Sequence, residues 1–231
     1  MNINPDEAIL FSLGQLPVSE TLFFTWVVMG VLVIFSWLVT RNITSDLPIP
    51  PWQNFLEITV SAIQEQIKEV SNQEALHYIP FIGTLFLFIL TANVLSVIPG
   101  FSPPTGSFST TAALAICVFI AVPVFGVSSK GWRGYLQAYI KPTFIMLPFN
   151  ILGEITRTLA LAVRLYGNMM SGTVIVAILL VVVPLFFPLV MHLLGLLTGV
   201  IQAYIFSILA MVYIASASKS AKRNDQQSPS A

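Results

Sequence analysis

From Thr21 to Thr40 the chain runs for twenty residues without a charge, and similar apolar runs recur along the rest of its length. The hydrocarbon core of a bilayer is about 30 Å thick and is crossed by about 20 helical residues. Inside it, no water satisfies the backbone, so a continuous apolar run must bond its own amides as a helix. The runs therefore predict an all-α integral membrane protein. Composition agrees: of 231 residues, 56% are hydrophobic and 9% charged, where a soluble domain carries roughly 25% charged residues. The formal net charge is zero, which offers no argument for nucleic acid. Cys117 is the only cysteine, which excludes a disulfide framework or cysteine metal cluster within the chain. The start, "MNINPDEAILF", is acidic and lacks the basic region of a cleaved signal peptide.

The expected order is an outer N-terminal segment (1–20), a first span (21–40) closed by Arg41, and a turn, "SDLPIPP". Residues 52–72 are too polar to cross; Phe55, Ile58, Ala62 and Val70 recur at roughly helical spacing, which predicts an amphipathic helix on the membrane surface. A second span (78–98) ends at the turn-rich "PGFSPPTGS", and a third (110–127) at the short polar segment "SSKGWRGYLQAYIKP". The remaining apolar stretch is too long for one span. Pro184 and Pro188 suggest a break into two long helices, 143–183 and 185–217, tilted in the bilayer. Residues 218–231 read as a flexible tail. That makes about five transmembrane helices and one surface helix.

Five spans place Arg41, Lys68, Lys130, Arg133, Lys141, Lys219, Lys222 and Arg223 on one side. By the positive-inside rule the N-terminus lies outside and the C-terminus in the cytoplasm. No internal repeat is visible, which disfavours the inverted-repeat transporters.

Two basic residues remain within the spans, Arg157 and Arg164. Arginine stays charged at any cellular pH, and placing it at the centre of a membrane helix costs about 2.5–3.5 kcal/mol on insertion scales. The two are seven residues apart, so they share a helix face. Glu154 can pair with Arg157 from one turn away, and Asn168 extends the stripe beyond Arg164. Arg164 has no acid within six residues on either side. Its counter-charge is expected from another subunit, a lipid or the binding site of a transported ion. In the last span Gly195, Gly199, Ala203 and Ser207 are four apart, a small-residue face that allows close helix approach. Gln202 can hydrogen-bond across that interface. His192 lies ten residues earlier and His77 opens the second span, both in positions typical of the membrane interface.

"PFNILGEITRTLALAVRLYGNMMSG", followed by "GVIQAYIFSILAMVYIASA", resembles the a subunit of the F-type ATP synthase membrane sector. That family carries an arginine in an "LRLFGN"-like motif and a glutamine in a "QA-aromatic-IF" motif on its last helix. The likeness extends more loosely through "ANVLSVIPG" and "PPTGSFSTTAALAI". It implies two offset half-channels held against a ring of c subunits, with the last two helices tilted against that ring. Arg164 would be the gate facing the ring carboxylate. Glu154, Arg157, Asn168, Gln202, Thr173, His192 and Ser96 would line the path. The implied partners are the c-ring, peripheral-stalk b subunits, the soluble ATPase indirectly and the bilayer, with no cofactor, no metal and no nucleic acid. The implied setting is a bacterial inner or thylakoid-type membrane.

Where many proton-type members have titratable groups, this chain has Thr173, Gly195 and Ser96, and no acid in "PPTGSFSTT". Protons remain the expected coupling ion, with His192 assisting, and Na⁺ is the alternative. A secondary transporter or ion channel is the competing class; it would purify alone rather than with a c-ring. An intramembrane protease is excluded by the lack of HExxH and of a Ser/His pair. No phosphate loop is present, so the chain performs no ATP chemistry itself.

Overall fold

The computed structural model describes residues 9–13, 16–41, 58, 61, 65, 78–98, 100–140, 145–182 and 187–219. Five helices dominate: α1 (Glu20–Thr40), α2 (Ile79–Leu95), α3 (Phe108–Ile140), α4 (Met146–Val182) and α5 (Phe187–Lys219). Among the described residues, four of these helices contain stretches long and apolar enough to cross a membrane; α2, at 17 residues, is a shorter apolar helix. At 1.5 Å per residue it rises about 26 Å, close to the minimum for a span. The architecture is that of an all-α, multi-pass integral membrane protein, with one local addition. In the outer segment, Ile9–Leu13 (β1) pairs antiparallel with Leu16–Ser19 (β2), which runs directly into α1. Of the expected surface helix, only Ile58, Ser61 and Glu65 are described; each is helical and exposed. The rest of 52–72, His77, and all of the tail past Lys219 lie outside the described residues.

The third helix differs most from its expected extent. It continues past 127 to Ile140, but with a break at Gly131, whose φ of 72° and ψ of 162° are non-helical. Only glycine takes up such a backbone without a steric cost. The break folds the polar segment back, so that the Tyr135 ring lies over Gly126; a Cβ there would come within 2.5 Å of it. Pro123 sits inside the same helix, as membrane helices tolerate when neighbours satisfy the freed carbonyl.

α2, α3, α4 and α5 pack around one core. Leu85 and Ile89 meet Ala115 and Val118, Leu161, Ala162 and Leu165, and Ala203, Phe206 and Ala210. A second cluster continues toward the start of α2, joining Tyr78 and Ile82 to Ala121, Val122, Met211 and Ile214. There Tyr78 stacks edge-on against Phe125 at 4.9 Å, and its hydroxyl lies 3.3 Å from Ser129 Oγ. Lipid tails are as apolar as these side chains. Association within the bilayer therefore rests on close packing and interhelical hydrogen bonds rather than on burial from water.

Two such bonds, both made by Asn93, organise the bundle. The turn between α2 and α3, Pro104–Gly106, is fully buried. Thr105 Oγ1 donates to Asn93 Oδ1 at 2.9 Å, and Asn93 Nδ2 donates to the Gly199 carbonyl at 2.8 Å. Asn93 thus ties α2, the turn and α5 together while only 1% exposed. The contact needs a glycine on α5: a Cβ at Gly199 would lie 3.0 Å from Asn93 Cβ, whereas one at Gly195 would meet nothing within 4 Å. Gly199→Ala should therefore lower the thermal midpoint for release of the subunit from its complex, by pushing Asn93 off the carbonyl. Gly195→Ala should leave it unchanged. Equal midpoints for the two variants would refute this account of the junction.

Candidate functional site

Among the described residues, the helix that carries both arginines is sparsely covered. Within Leu147–Val181 only Leu161, Ala162 and Leu165 are buried, against nine residues of Leu189–Ala217. Its anchoring residues, Leu161, Ala162 and Leu165, lie on the side facing the core. The uncovered surface divides into two stripes of opposite character. Leu152, Ile155, Leu159 and Val163 form an exposed large-apolar stripe suited to lipid. Arg157, Ala160, Arg164, Gly167, Asn168 and Ser171, also exposed, recur at helical spacing as a small and polar stripe. Lipid tails have nothing to offer that second surface.

Arg164 sits in the middle of the small, polar stripe. Among the described residues its guanidinium has no hydrogen bond, ion pair or ring contact. Arg157, two turns earlier, is placed differently: its guanidinium lies over the Tyr213 ring of α5, 5.7 Å from the centroid. A cation over an aromatic face gains about 0.5–2 kcal/mol, more as water is excluded. Glu154 is half-buried one turn before Arg157 on the same helix. The Tyr166 ring packs edge-on against Phe108 at 5.6 Å, which fixes the arginine segment against the start of α3.

Asn168 and Gln202 are brought together. Asn168 Nδ2 donates to Gln202 Oε1 at 2.7 Å, joining α4 to α5 one turn from Arg164. Gln202 is 3% exposed, and among the described residues its buried Nε2 donor has no partner. The remaining candidates are not gathered at this point. Thr173 is nine residues, two and a half turns, beyond Arg164 and so lies on the opposite side of α4, exposed, with its hydroxyl on the Met170 carbonyl. Ser96 is half-buried at the end of α2 and donates to the Asn93 carbonyl at 2.6 Å. His192 is exposed, about 15 Å along α5 from Gln202. Among the described residues no three His, Cys, Asp or Glu side chains converge on a metal position.

Three residues that organise the site were not singled out from the sequence: Asn93, Thr105 and Tyr213. Asn93 carried a signal, being an amide in an otherwise apolar span. Tyr213 carried none, since an aromatic on a membrane helix is ordinary.

The amide pair yields a direct expectation. Asn168→Ala leaves buried Gln202 wholly unpartnered, which costs about 1–3 kcal/mol. Adding Gln202→Leu removes the stranded group, so the double variant should lose less thermal stability than the sum of the singles. Additive losses, followed by thermal inactivation of the purified complex, would show that the pair is not coupled.

The sequence has counterparts among known proteins. The profile of the ATP synthase A chain family matches residues 22–215. The chain is 60% identical over 226 residues to ATP synthase subunit a 2 of Acaryochloris marina, covering 98% of this chain and 97% of that one. It is 57% identical over 222 residues to ATP synthase subunit a of Albidiferax ferrireducens, covering 96% of both. With ATP synthase subunit a 1 of Chlorobaculum parvum it shares 56% over 224 residues, 97% of this chain and 99% of that one. Matched along nearly its whole length, the chain belongs to the ATP synthase A chain family, the a subunits of the F-type ATP synthase membrane sector.

Proposed function

We propose that this chain is the ion-translocating stator of its ATP synthase: it holds two half-channels against a c-ring, and Arg164 is the fixed charge that couples ion flow to rotation. The observation that carries the reading is the Arg164 guanidinium, unpaired among the described residues, on an exposed stripe of small and polar residues. A carboxylate on each c subunit supplies the missing counter-charge. At ~4 Å and an effective dielectric near 20, such a pair is worth about 4 kcal/mol. That is enough to make the carboxylate release its ion, and small enough for thermal motion and the ion gradient to part the pair again. The same charge blocks ions from passing directly between half-channels. Asn168, Gln202, Glu154 and Arg157 border this contact, while Thr173, Ser96 and His192 belong to the access paths. The b subunits hold the chain against rotation and connect it to the soluble ATPase. The N-terminus faces outward and the C-terminus the cytoplasm, in a bacterial inner or thylakoid-type membrane.

Protons are the coupling ion in this reading, moving through a water-filled vestibule with His192 assisting. A second reading, Na⁺, is favoured by one observation: Thr173, Ser96 and Gly195 cannot form a titrating relay, whereas hydroxyl and carbonyl oxygens suit a hard cation.

Arg164→Ala should abolish both ATP-driven ion pumping and ion-driven synthesis while the complex still assembles with its c-ring. Coupled synthesis in Arg164→Ala membranes would sink the reading, and purification of the chain without a ring would favour a transporter. The ion is decided separately, by ATP hydrolysis of the purified complex titrated with Na⁺ at fixed pH. No activation is expected for a proton-coupled enzyme. Millimolar activation, with Na⁺ protecting the ring from a carboxyl-modifying carbodiimide, would replace protons by Na⁺.

A further inference from the structure

At the end of the bundle where α1 begins, a carboxylate is tied to the loop that joins α2 to α3. Ser102 Oγ donates to Glu20 Oε1 at 2.7 Å, across 82 residues of sequence. The loop from Pro99 to Ser107 has no acid of its own, so this bond places one beside it. Glu20 is half-buried. The other two described acids, Glu65 and Glu154, belong to the α1–α2 connection and the first half of α4. A glutamate in a first helical turn is often there for the helix dipole alone. That role requires no partner from a distant loop.

Hydroxyls and amides continue inward from the same loop. Thr105, fully buried, is bonded to Asn93, and Asn93 to the Gly199 carbonyl. Gln202 follows Gly199 by one turn of α5 and holds Asn168, itself one turn from Arg164. A set of hydrogen-bonded, mostly buried polar groups thus lies between the loop that binds Glu20 and the helix that carries the arginine.

We propose that Glu20 is the carboxylate that collects the coupling cation at the outer mouth of the half-channel leading to Arg164. This rests on the proposed function, which supplies the half-channel and the direction of flow. The carboxylate attracts a monovalent cation from bulk water and releases it to the access path, with Ser102 holding it at the opening. Proton and Na⁺ would both be taken by the same oxygens.

The test uses the whole complex in proteoliposomes. ATP synthesis is measured against cation concentration on the side away from the soluble ATPase, at fixed membrane potential, once varying pH and once varying Na⁺. In Glu20→Gln the half-saturating concentration of the coupling cation should rise at least threefold, with the saturated rate and ATP hydrolysis unchanged. Glu20→Asp should return it close to the wild-type value. The titration that shifts identifies the cation. Unchanged half-saturation in Glu20→Gln overturns the proposal, as does a lower saturated rate without a shift, which would mark a structural acid. Should Glu20→Gln prevent assembly, Ser102→Ala serves instead: a smaller rise is expected, and none overturns the proposal. If Arg164→Ala uncouples the complex while Glu20→Gln saturates normally, the Glu20 role alone fails. If Arg164→Ala stays coupled, the half-channel reading itself has failed.

Discussion

A charge that cannot be neutralised, in a helix that contains no partner for it, is the constraint around which this molecule is arranged. Arg164 cannot lose its proton as a buried lysine can. It lies on an exposed face with no hydrogen bond or ion pair among the described residues. A single such residue facing lipid would have to snorkel or thin the bilayer. Here the surface around it is built of glycine, alanine, serine and asparagine rather than of lipid-facing side chains. Arg157, exposed on the same stripe, differs in one respect: its guanidinium lies over the Tyr213 ring of α5. The contrast between the two arginines argues that the openness of Arg164 has a purpose outside the chain.

Holding that face open requires rigidity elsewhere. With no hydrophobic drive between helices in lipid, position is set by steric fit and by polar groups that must find partners. Asn93 meets this demand twice, through its donor to Gly199 and its acceptor for Thr105. Gly199 admits the amide, and the buried turn at Pro104–Gly106 closes over it. On the same helix one turn later, Gln202 reaches Asn168 and so fixes α4 beside the junction. The register of the arginine helix is therefore inherited, through two amides, from a turn more than fifty residues earlier in the chain.

The class of fold was legible because the bilayer leaves so few options: uncharged runs of twenty residues have to be helices. The end of α3 was less so. Nothing in "SSKGWRGY" announces that helix resumes after Gly131, since a glycine there fits a terminus as well as a break. The β1–β2 pair shows the opposite failure: "ILFSLGQLPVS" alternates two short apolar runs about Gly14, a hairpin pattern overshadowed by the stronger signal of the span behind it. Within the site, periodicity placed Arg157, Arg164 and Asn168 on one stripe, where they are found together. The same arithmetic puts Thr173 on the far side of α4. Contacts between helices lie beyond periodicity altogether. Nothing in the sequence of α2 states that Asn93 meets Gly199 across 106 residues, because that depends on how two helices pack.

The two sides of α4 also differ in how they could tolerate motion. Toward α5 and α3 the contact is interlocked: Leu161 and Leu165 are buried against Phe206, Ala203 and Val118, and no sliding is possible without opening voids. On the other side, Ala160, Gly167 and Ser171 flank Arg164 without a large side chain among them. Bulky residues there would interdigitate with a passing helix and hold it in discrete registers, each with a barrier set by dispersion lost on leaving it. Small residues allow close approach with a shallow corrugation, so the one strong contact is electrostatic. On the proposed function this is what a stator facing a rotor needs: the position of the ring is read by a charge, and steric friction is kept low between Ala160 and Ser171, beside that charge.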